Sequence, residues 1–438
     1  MTSQYRRQFL ASTAQAGIGA AMLGSGALVG SLAAEESGHR RPVAPLGKAE
    51  HCIMLWLPGG AAQIDTFDPK RKSKDGRKDP GSAYDSIPTA IPNVQVSEHL
   101  ARTAAQLDKA ILLRTLQHDV IDEHAAATNR MHTGRPVSGT IEYPSIGSVI
   151  AHLKGPGGEA VPRYVLMGYP TPSRGPGFLG ADAGYLYLTK TDDGPSSLTP
   201  PGRVTARSYD RRRRLLDQVR AEADHRSRPL RGEYDTLVSQ GFRLSGPEFM
   251  NVFRLEKEPG ELRNAYGDEF GQRCLLARRL VQSGVRFVEV TSNLNFVNGT
   301  GWDTHQDGQE KQHLLIQSLD AALATLLDDL QRNRLLDKTL VVVCSEFGRP
   351  GGFDNGGGRN HHSRAFTAVL AGGGLRSGQV IGETNELAEE PVSRSISIPD
   401  FHATIYHALG IDHTNELYAE SRPIPLTDGG HPIEELFG

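Results

Sequence analysis

The run His51-Cys52-Ile53-Met54-Leu55-Trp56-Leu57 constrains the fold more than any other segment, because it shows almost no polar alternation and stops at Pro58-Gly59-Gly60. A strand that is apolar on both pleat faces must be covered on both, as a parallel strand is between helical layers, and the glycines supply a turn at its carboxyl end. Short runs rich in Val, Ile and Leu recur at 110–116, 163–167, 285–290 and 339–344. Between the last two, Leu314, Leu315, Leu319, Leu323, Leu326, Leu327 and Leu330 recur at helical spacing. The alternation predicts an α/β fold: a three-layer sandwich around a mostly parallel sheet, with ligands bound at the carboxyl ends of the strands.

A chain of 438 residues has length for two or three domains. The pattern is read as a single domain over 45–435, with a helical insertion over 194–259 that is Arg-rich around Arg211-Arg212-Arg213-Arg214. That run is read as a solvated helix face rather than an anion-binding patch. Before the domain, Arg6-Arg7-Gln8-Phe9-Leu10 precedes an uncharged Ala/Gly-rich stretch over 11–32 that closes on Ser31-Leu32-Ala33-Ala34. This predicts a twin-arginine (Tat) signal peptide over 1–34, with the Tat export machinery as a partner, a periplasmic or extracellular location, and no membrane span after cleavage.

Charge and cysteine usage exclude several classes. Lys and Arg number 48 against 51 Asp and Glu, a net charge of −3, so no basic surface points to nucleic acid. Cys52, Cys274 and Cys344 are too few and too scattered for a disulfide framework or a CxxC site. Any metal must therefore be held by His and carboxylates. A dinucleotide oxidoreductase is set aside, because Gly356-Gly357-Gly358 does not open an apolar helix after a strand in the G-x-G-x-x-G form.

Four segments at strand ends carry reactive side chains. Asp65 and Asp68 follow the first run, where either could ligate a metal and a turn or capping role is the plainer reading. Asp122-Glu123-His124 begins a helix that stops at Gly134, with Asp122 the expected N-cap. His124 in the first turn is expected to resist protonation, which suits a nucleophile, base or ligand. Asp303-Thr304-His305 is a D-x-H triplet able to aim both side chains at one cation. Ser345-Glu346-Phe347-Gly348-Arg349 ends a strand, and Gly356-Gly357-Gly358-Arg359-Asn360-His361-His362 follows on a Gly-rich loop. Asp303, His305, Glu346 and His361 or His362 together make a nitrogen and oxygen ligand set without Cys, with zinc the foremost divalent metal and calcium or manganese as alternatives.

These motifs, with Gln63-Ile64-Asp65-Thr66-Phe67-Asp68-Pro69-Lys70 and Gly301-Trp302-Asp303-Thr304-His305, resemble the exported bacterial family of domain of unknown function 1501 across nearly all of the chain after its first segment. That family is similar to the alkaline phosphatase and sulfatase superfamily. The resemblance implies that His124 stands where the nucleophile opens a helix ending in Thr-Gly, that Asp303 and His305 ligate a metal, and that His361 or His362 is the late ligand. It also implies departures: Pro58-Gly59-Gly60 stands where a ligating Asp is expected, so Asp65 would substitute, and Glu346-Phe347 replaces an Asp-His pair.

The resulting expectation is an exported metal-dependent hydrolase of sulfate or phosphate esters, acting on a small-molecule or polysaccharide ester. In it Asp65, His124, Asp303, His305, Glu346 and His361 or His362 hold the metal. His124 and Glu346 take catalytic roles, and Arg135, Arg349 and Arg359 meet the anionic ester. The alternative is a non-catalytic binding or structural protein that keeps the fold and the metal.

Overall fold

The apolar run forms strand β1 (His51–Trp56), every residue of which is buried. In the computed structural model, which describes residues 45–75, 78–158, 160–168, 171–189, 191, 194–195, 198, 205–223, 238, 240–292, 301–305 and 308–438, β1 is central to a nine-stranded sheet. The expected signal peptide lies outside the described residues, as do parts of the expected insertion. Residues Ala44–Gly438 form one compact unit.

The remaining strands in chain order are β2 (Ser86–Pro88), β3 (Gln95–Ser97), β4 (Ala110–Gln117), β5 (Tyr164–Met167), β6 (Leu186–Tyr187), β7 (Phe287–Thr291), β8 (Thr339–Cys344), β9 (Phe366–Gly372), β10 (Gln379–Ile381), β11 (Ile396–Ser397), β12 (Glu416–Ala419) and β13 (Arg422–Pro425). The main sheet runs β10-β4-β9-β8-β1-β7-β5-β6, with β11 also on β4. β1 lies parallel to both β7 and β8, with Trp56 opposite Thr291 and Cys344. β9 runs antiparallel to β8 and β4, which makes the sheet mixed but mostly parallel and leaves β4 pointing the same way as β1. The carboxyl ends of β1, β4, β7 and β8 therefore open on one edge, where β9 also begins.

Alternation along β1 explains why the sequence carries no polar face. Ile53, Leu55 and Leu57 enter one apolar cluster, with Leu276 and Leu280 from helix Glu269–Gln282 and Leu319, Leu323 and Leu327 from helix Gly308–Arg332. Cys52, Met54 and Trp56 enter a second cluster, with Val149 and Ile150 from helix Ile146–Lys154 and Phe401 and Ile405 from helix Ile398–Ala408. Each fully buried aliphatic side chain contributes about 1.5–3 kcal/mol, so one strand gains on both faces and register is fixed twice. This is the three-layer α/β sandwich expected from the alternation.

Within 194–259 the structure shows helix Ala206–Ala223. Arg211, Arg212, Arg213 and Arg214 on it are exposed. Among the described residues no helix is long and apolar enough to cross a membrane.

Candidate metal centre

The segments that follow β1, β4 and β8 meet residues 301–305 at the carboxyl edge of the sheet. After β1, Gly59 and Gly60 take φ of 112° and 85°, a region open to glycine and costly for other residues. A Cβ on Gly59 would stand 2.3 Å from the Asp303 nitrogen, and one on Gly60 would stand 2.6 Å from the Phe347 ring. The absence of a side chain there lets the Asp303 segment and the end of β8 close over β1. After β8, Ser345 Oγ accepts the Gly60 and Ala61 N–H groups at 3.1 Å each. Glu346 Oε1 accepts the Gly59 N–H at 2.7 Å.

After β4, helix His124–Thr133 begins. Its N-cap is Glu123, which accepts the Ala125 and Ala126 N–H groups, and not Asp122 as the sequence suggested. Asp122 instead lies 2.8 Å from His361 Nδ1. Gly134 ends the helix at φ 70°, its N–H on Arg130 O, as its residue type predicts.

Three imidazoles share one arrangement. A carboxylate only accepts, so each Nδ1 donates its proton: His124 to Glu346 at 2.7 Å, His305 to Asp354 at 3.0 Å and His361 to Asp122 at 2.8 Å. Each Nε2 then faces Asp303 Oδ1, at 3.5 Å from His124, 3.1 Å from His305 and 3.3 Å from His361. His305 Nε2 and His361 Nε2 are 3.3 Å apart. With their Nδ1 protons committed to carboxylates, these two nitrogens turn their lone pairs toward one point, and Arg349 Nη1 lies 3.5 Å from His305 Nε2. His124, Asp303 and His361 offer ligand atoms within 4.8 Å of one another, the spacing of a single-ion site. His124 Nε2 is buried and lacks a hydrogen bond of good geometry. The two imidazole nitrogens of His124 and His361 and the carboxylate oxygen of Asp303, with His305 Nε2 beside them at 3.1 Å from Asp303 Oδ1 and 3.3 Å from His361 Nε2, fit a divalent ion of the zinc type.

The electrostatics depart from the sequence reading. Burial lowers the affinity of His124 for a proton, but the Asp303 carboxylate facing Nε2 and the Glu346 carboxylate bonded to Nδ1 outweigh burial and carry its pKa up to about 9. The two carboxylates thus overrule the helix N-terminus, which was expected to keep the ring neutral. For Asp303, burial raises the pKa while His124, His361 and Arg349 lower it further, holding the carboxyl far below the ordinary carboxylate range. A divalent ion would displace the proton between these groups.

Other residues singled out from sequence take different places. Glu346 reaches the centre through His124: Oε1 is taken by Gly59 and His124, and Oε2 lies 3.1 Å from Ser345 Oγ, whose hydroxyl reaches Leu57 O at 2.6 Å. Asp65 is fully buried and forms a two-pronged pair with Arg359, at 2.8 and 2.9 Å, away from the imidazoles. His362 bonds Glu389 O through Nε2 at 2.6 Å, so of the adjacent histidines only His361 enters the centre. Alternation places them so, since His362 pairs with Gly348 across an antiparallel bridge and turns the opposite way.

The three arginines expected to meet an anion are already engaged. Arg349 is fully buried and donates to Gly60 O at 3.0 Å, Arg359 O at 2.6 Å and Asp303 Oδ1 at 2.5 Å. Arg359 donates to Asp65 and to the Pro350, Gly351 and Gly81 carbonyls. Arg135 donates to Pro425 O at 2.6 Å and lies over the Tyr143 ring.

Sequence reasoning missed His118, Asp354 and the role of Asp122. His118 accepts the Val120 N–H at Nδ1 and donates from Nε2 to Glu346 O at 2.6 Å, bracing the end of β8. Its signal was available, because it follows β4 as Ser345 follows β8. Asp354 carried none beyond its place before the glycine run.

Fold and site together define an α/β protein with a candidate cation centre of three histidines and one aspartate at the carboxyl edge of its sheet. The chain belongs to the family described as "Protein of unknown function (DUF1501)", whose model matches residues 49–437. No curated protein matches the sequence. Among solved structures it is similar to the lipoteichoic acid synthase LtaP from Listeria monocytogenes, at 8% identity and a TM-score of 0.41 over 87% of this chain and 76% of that one. The PsFucS1 sulfatase from Pseudoalteromonas sp. follows at 12% and 0.38, over 83% and 68%. The alkaline phosphatase of the Antarctic bacterium TAB5 gives 13% and 0.35, over 75% and 92%.

Proposed function

We propose that the protein is an exported metal-dependent hydrolase of sulfate or phosphate esters, with one divalent ion, zinc foremost, held by His124 Nε2, His305 Nε2, His361 Nε2 and Asp303 Oδ1. The observation that carries the reading is the convergence of those four atoms, with each imidazole proton drawn to the far side of its ring. The ester class rests on the motif resemblance to the alkaline phosphatase and sulfatase superfamily, and export on the twin-arginine start. When bound, the ion would supply Lewis-acid polarisation and lower the pKa of water.

The chain's own residues do the rest. Glu346 fixes the ring plane of His124, and Arg349 fixes the carboxylate of Asp303. His124, Asp303 and His305 are partly exposed, which leaves a face of the centre open to a substrate. Since Arg349, Arg359 and Arg135 are spent on carbonyls and carboxylates, the anionic ester is met chiefly by the centre itself. Glu346, whose Oε1 is held by Gly59 and His124, serves as a positioning group.

The test is turnover of aryl sulfate and aryl phosphate esters by the purified protein before and after metal removal. Turnover of either ester, abolished by chelation and restored by Zn²⁺, is the expected result. A second reading, a non-catalytic binding protein, is favoured by one observation: three protein donors at one point with a fourth, His305, beside them resemble a closed structural site. Bound metal without turnover of any ester would decide for it.

A further inference from the structure

His305 and His361 hold their Nδ1 protons against carboxylates of very different surroundings. The Asp354 side chain is 14% exposed and that of Asp122 is 87% exposed. Asp354 is also clamped at both oxygens. Oδ2 accepts from His305 Nδ1 at 3.0 Å, and Oδ1 accepts the Gly356 and Gly358 N–H groups at 2.9 Å each. Its backbone N–H donates to Gly358 O at 2.8 Å, closing the loop on itself.

That loop is packed onto the segment it orients. A Cβ on Gly358 would stand 2.0 Å from Thr304 O and 2.1 Å from His305 O, and the Arg359 N–H donates to Thr304 O at 3.0 Å. The glycine run thus lets a clamped carboxylate ride directly on the backbone that carries Asp303 and His305. Three hydrogen bonds hold the Asp354 carboxylate in this orientation.

We propose that Asp354 is a positioning residue: it fixes the His305 proton on Nδ1 and so aims the Nε2 lone pair at the point shared by Asp303, His124 and His361. The inference rests on the metal-binding reading above. It assigns Asp122, on His361, the weaker version of the same role, because a solvated carboxylate exerts less hold on its partner. Carboxylate partners of this kind tune metal affinity by about 10–100-fold.

Asp354→Asn separates this role from mere packing. Oδ1 stays with the two glycine N–H groups, so the amide nitrogen falls where Oδ2 stood and donates to His305 Nδ1. The ring proton then moves to Nε2 and points at Asp303. Shape is kept and the tautomer is reversed.

The experiment is Zn²⁺ binding by chelator competition for the wild-type protein, Asp354→Asn and Asp122→Asn, with the tautomer of His305 read by nitrogen NMR on histidine-labelled, metal-free protein. Expected are an Nδ1–H tautomer for His305 in the wild type, an Nε2–H tautomer in Asp354→Asn with Zn²⁺ affinity weakened about 10–100-fold, and a smaller loss in Asp122→Asn. Equal affinity and an unchanged tautomer in Asp354→Asn overturn the inference while leaving the metal reading standing. A wild-type protein that binds no Zn²⁺ overturns the metal reading and the inference with it. If Asp354→Asn does not fold, an Nε2–H tautomer for His305 in the wild type is by itself enough to overturn the inference.

Discussion

His124 Nδ1 lies 2.7 Å from Glu346 Oε1, and the same oxygen takes the Gly59 N–H at 2.7 Å. One carboxylate oxygen therefore ties together the helix after β4, the turn after β1 and the end of β8. That relation fixes where the His124 ring points, and it adds to the Asp303 carboxylate in raising the proton affinity of this imidazole in the metal-free protein.

Removing the Glu346 charge and removing its oxygen should have different effects. Glu346→Gln keeps an acceptor for His124 and Gly59, so the fold should hold while the pKa of metal-free His124 falls from about 9 toward its ordinary value; histidine NMR titration reads this. Glu346→Ala leaves two polar hydrogens without a partner and should cost about 1–3 kcal/mol in urea unfolding. A His124 titration unmoved in Glu346→Gln would detach the two residues.

Gly60→Ala should be destabilising even though it adds one methyl group. At φ 85° the new Cβ meets the Phe347 ring at 2.6 Å and Arg349 Nε at 3.0 Å. Residues forced into such backbone regions cost about 1–3 kcal/mol, and displacement of Arg349 should loosen Asp303. Urea unfolding and Zn²⁺ affinity should both worsen, and unchanged stability would show that the turn relaxes without cost.

The buried pair Asp65 and Arg359 should behave as structure. Asp65→Ala strands a guanidinium that is fully enclosed, and breaking such pairs costs about 3–5 kcal/mol. Asp65→Ala combined with Arg359→Met should recover part of that loss, because no uncompensated charge remains. Additive losses in the double variant would argue against this coupling.

Acid sensitivity should come in part from Glu289 on β7. It is fully buried; burial raises its pKa, but the Arg174 and His132 charges and the hydrogen bonds from His132 and Tyr164 bring it down from 4.5 to about 2. A group whose folded pKa is depressed stabilises the protein above its unfolded value and loses that contribution as pH falls. Stability should therefore drop between about pH 4.5 and 2. Glu289→Gln should be less stable at pH 7 and show a flatter decline across that window in urea titrations; parallel curves would exclude Glu289 as a source.

The layers were legible because β1 has to be apolar on both faces, and Asp303 and His305 were legible because a D-x-H triplet leaves few alternatives near a strand end. The choice between His361 and His362 was not, since it depends on the bridge between Gly348 and His362 that turns one ring inward and the other toward Glu389. Asp65 looked like a ligand only while its partner 294 positions away was invisible. The protonation of His124 misled for the same reason: the helix dipole is local, whereas Glu346 and Asp303 arrive from distant segments and dominate.

The most direct test of the centre is the zinc content of the dialysed protein, measured by elemental analysis after equilibration with Zn²⁺, for the wild type and Asp303→Ala. The expected result is one ion per chain in the wild type and none retained in Asp303→Ala. A wild type without zinc, or an Asp303→Ala variant that retains it, would contradict a metal centre built on His124, His305, His361 and Asp303.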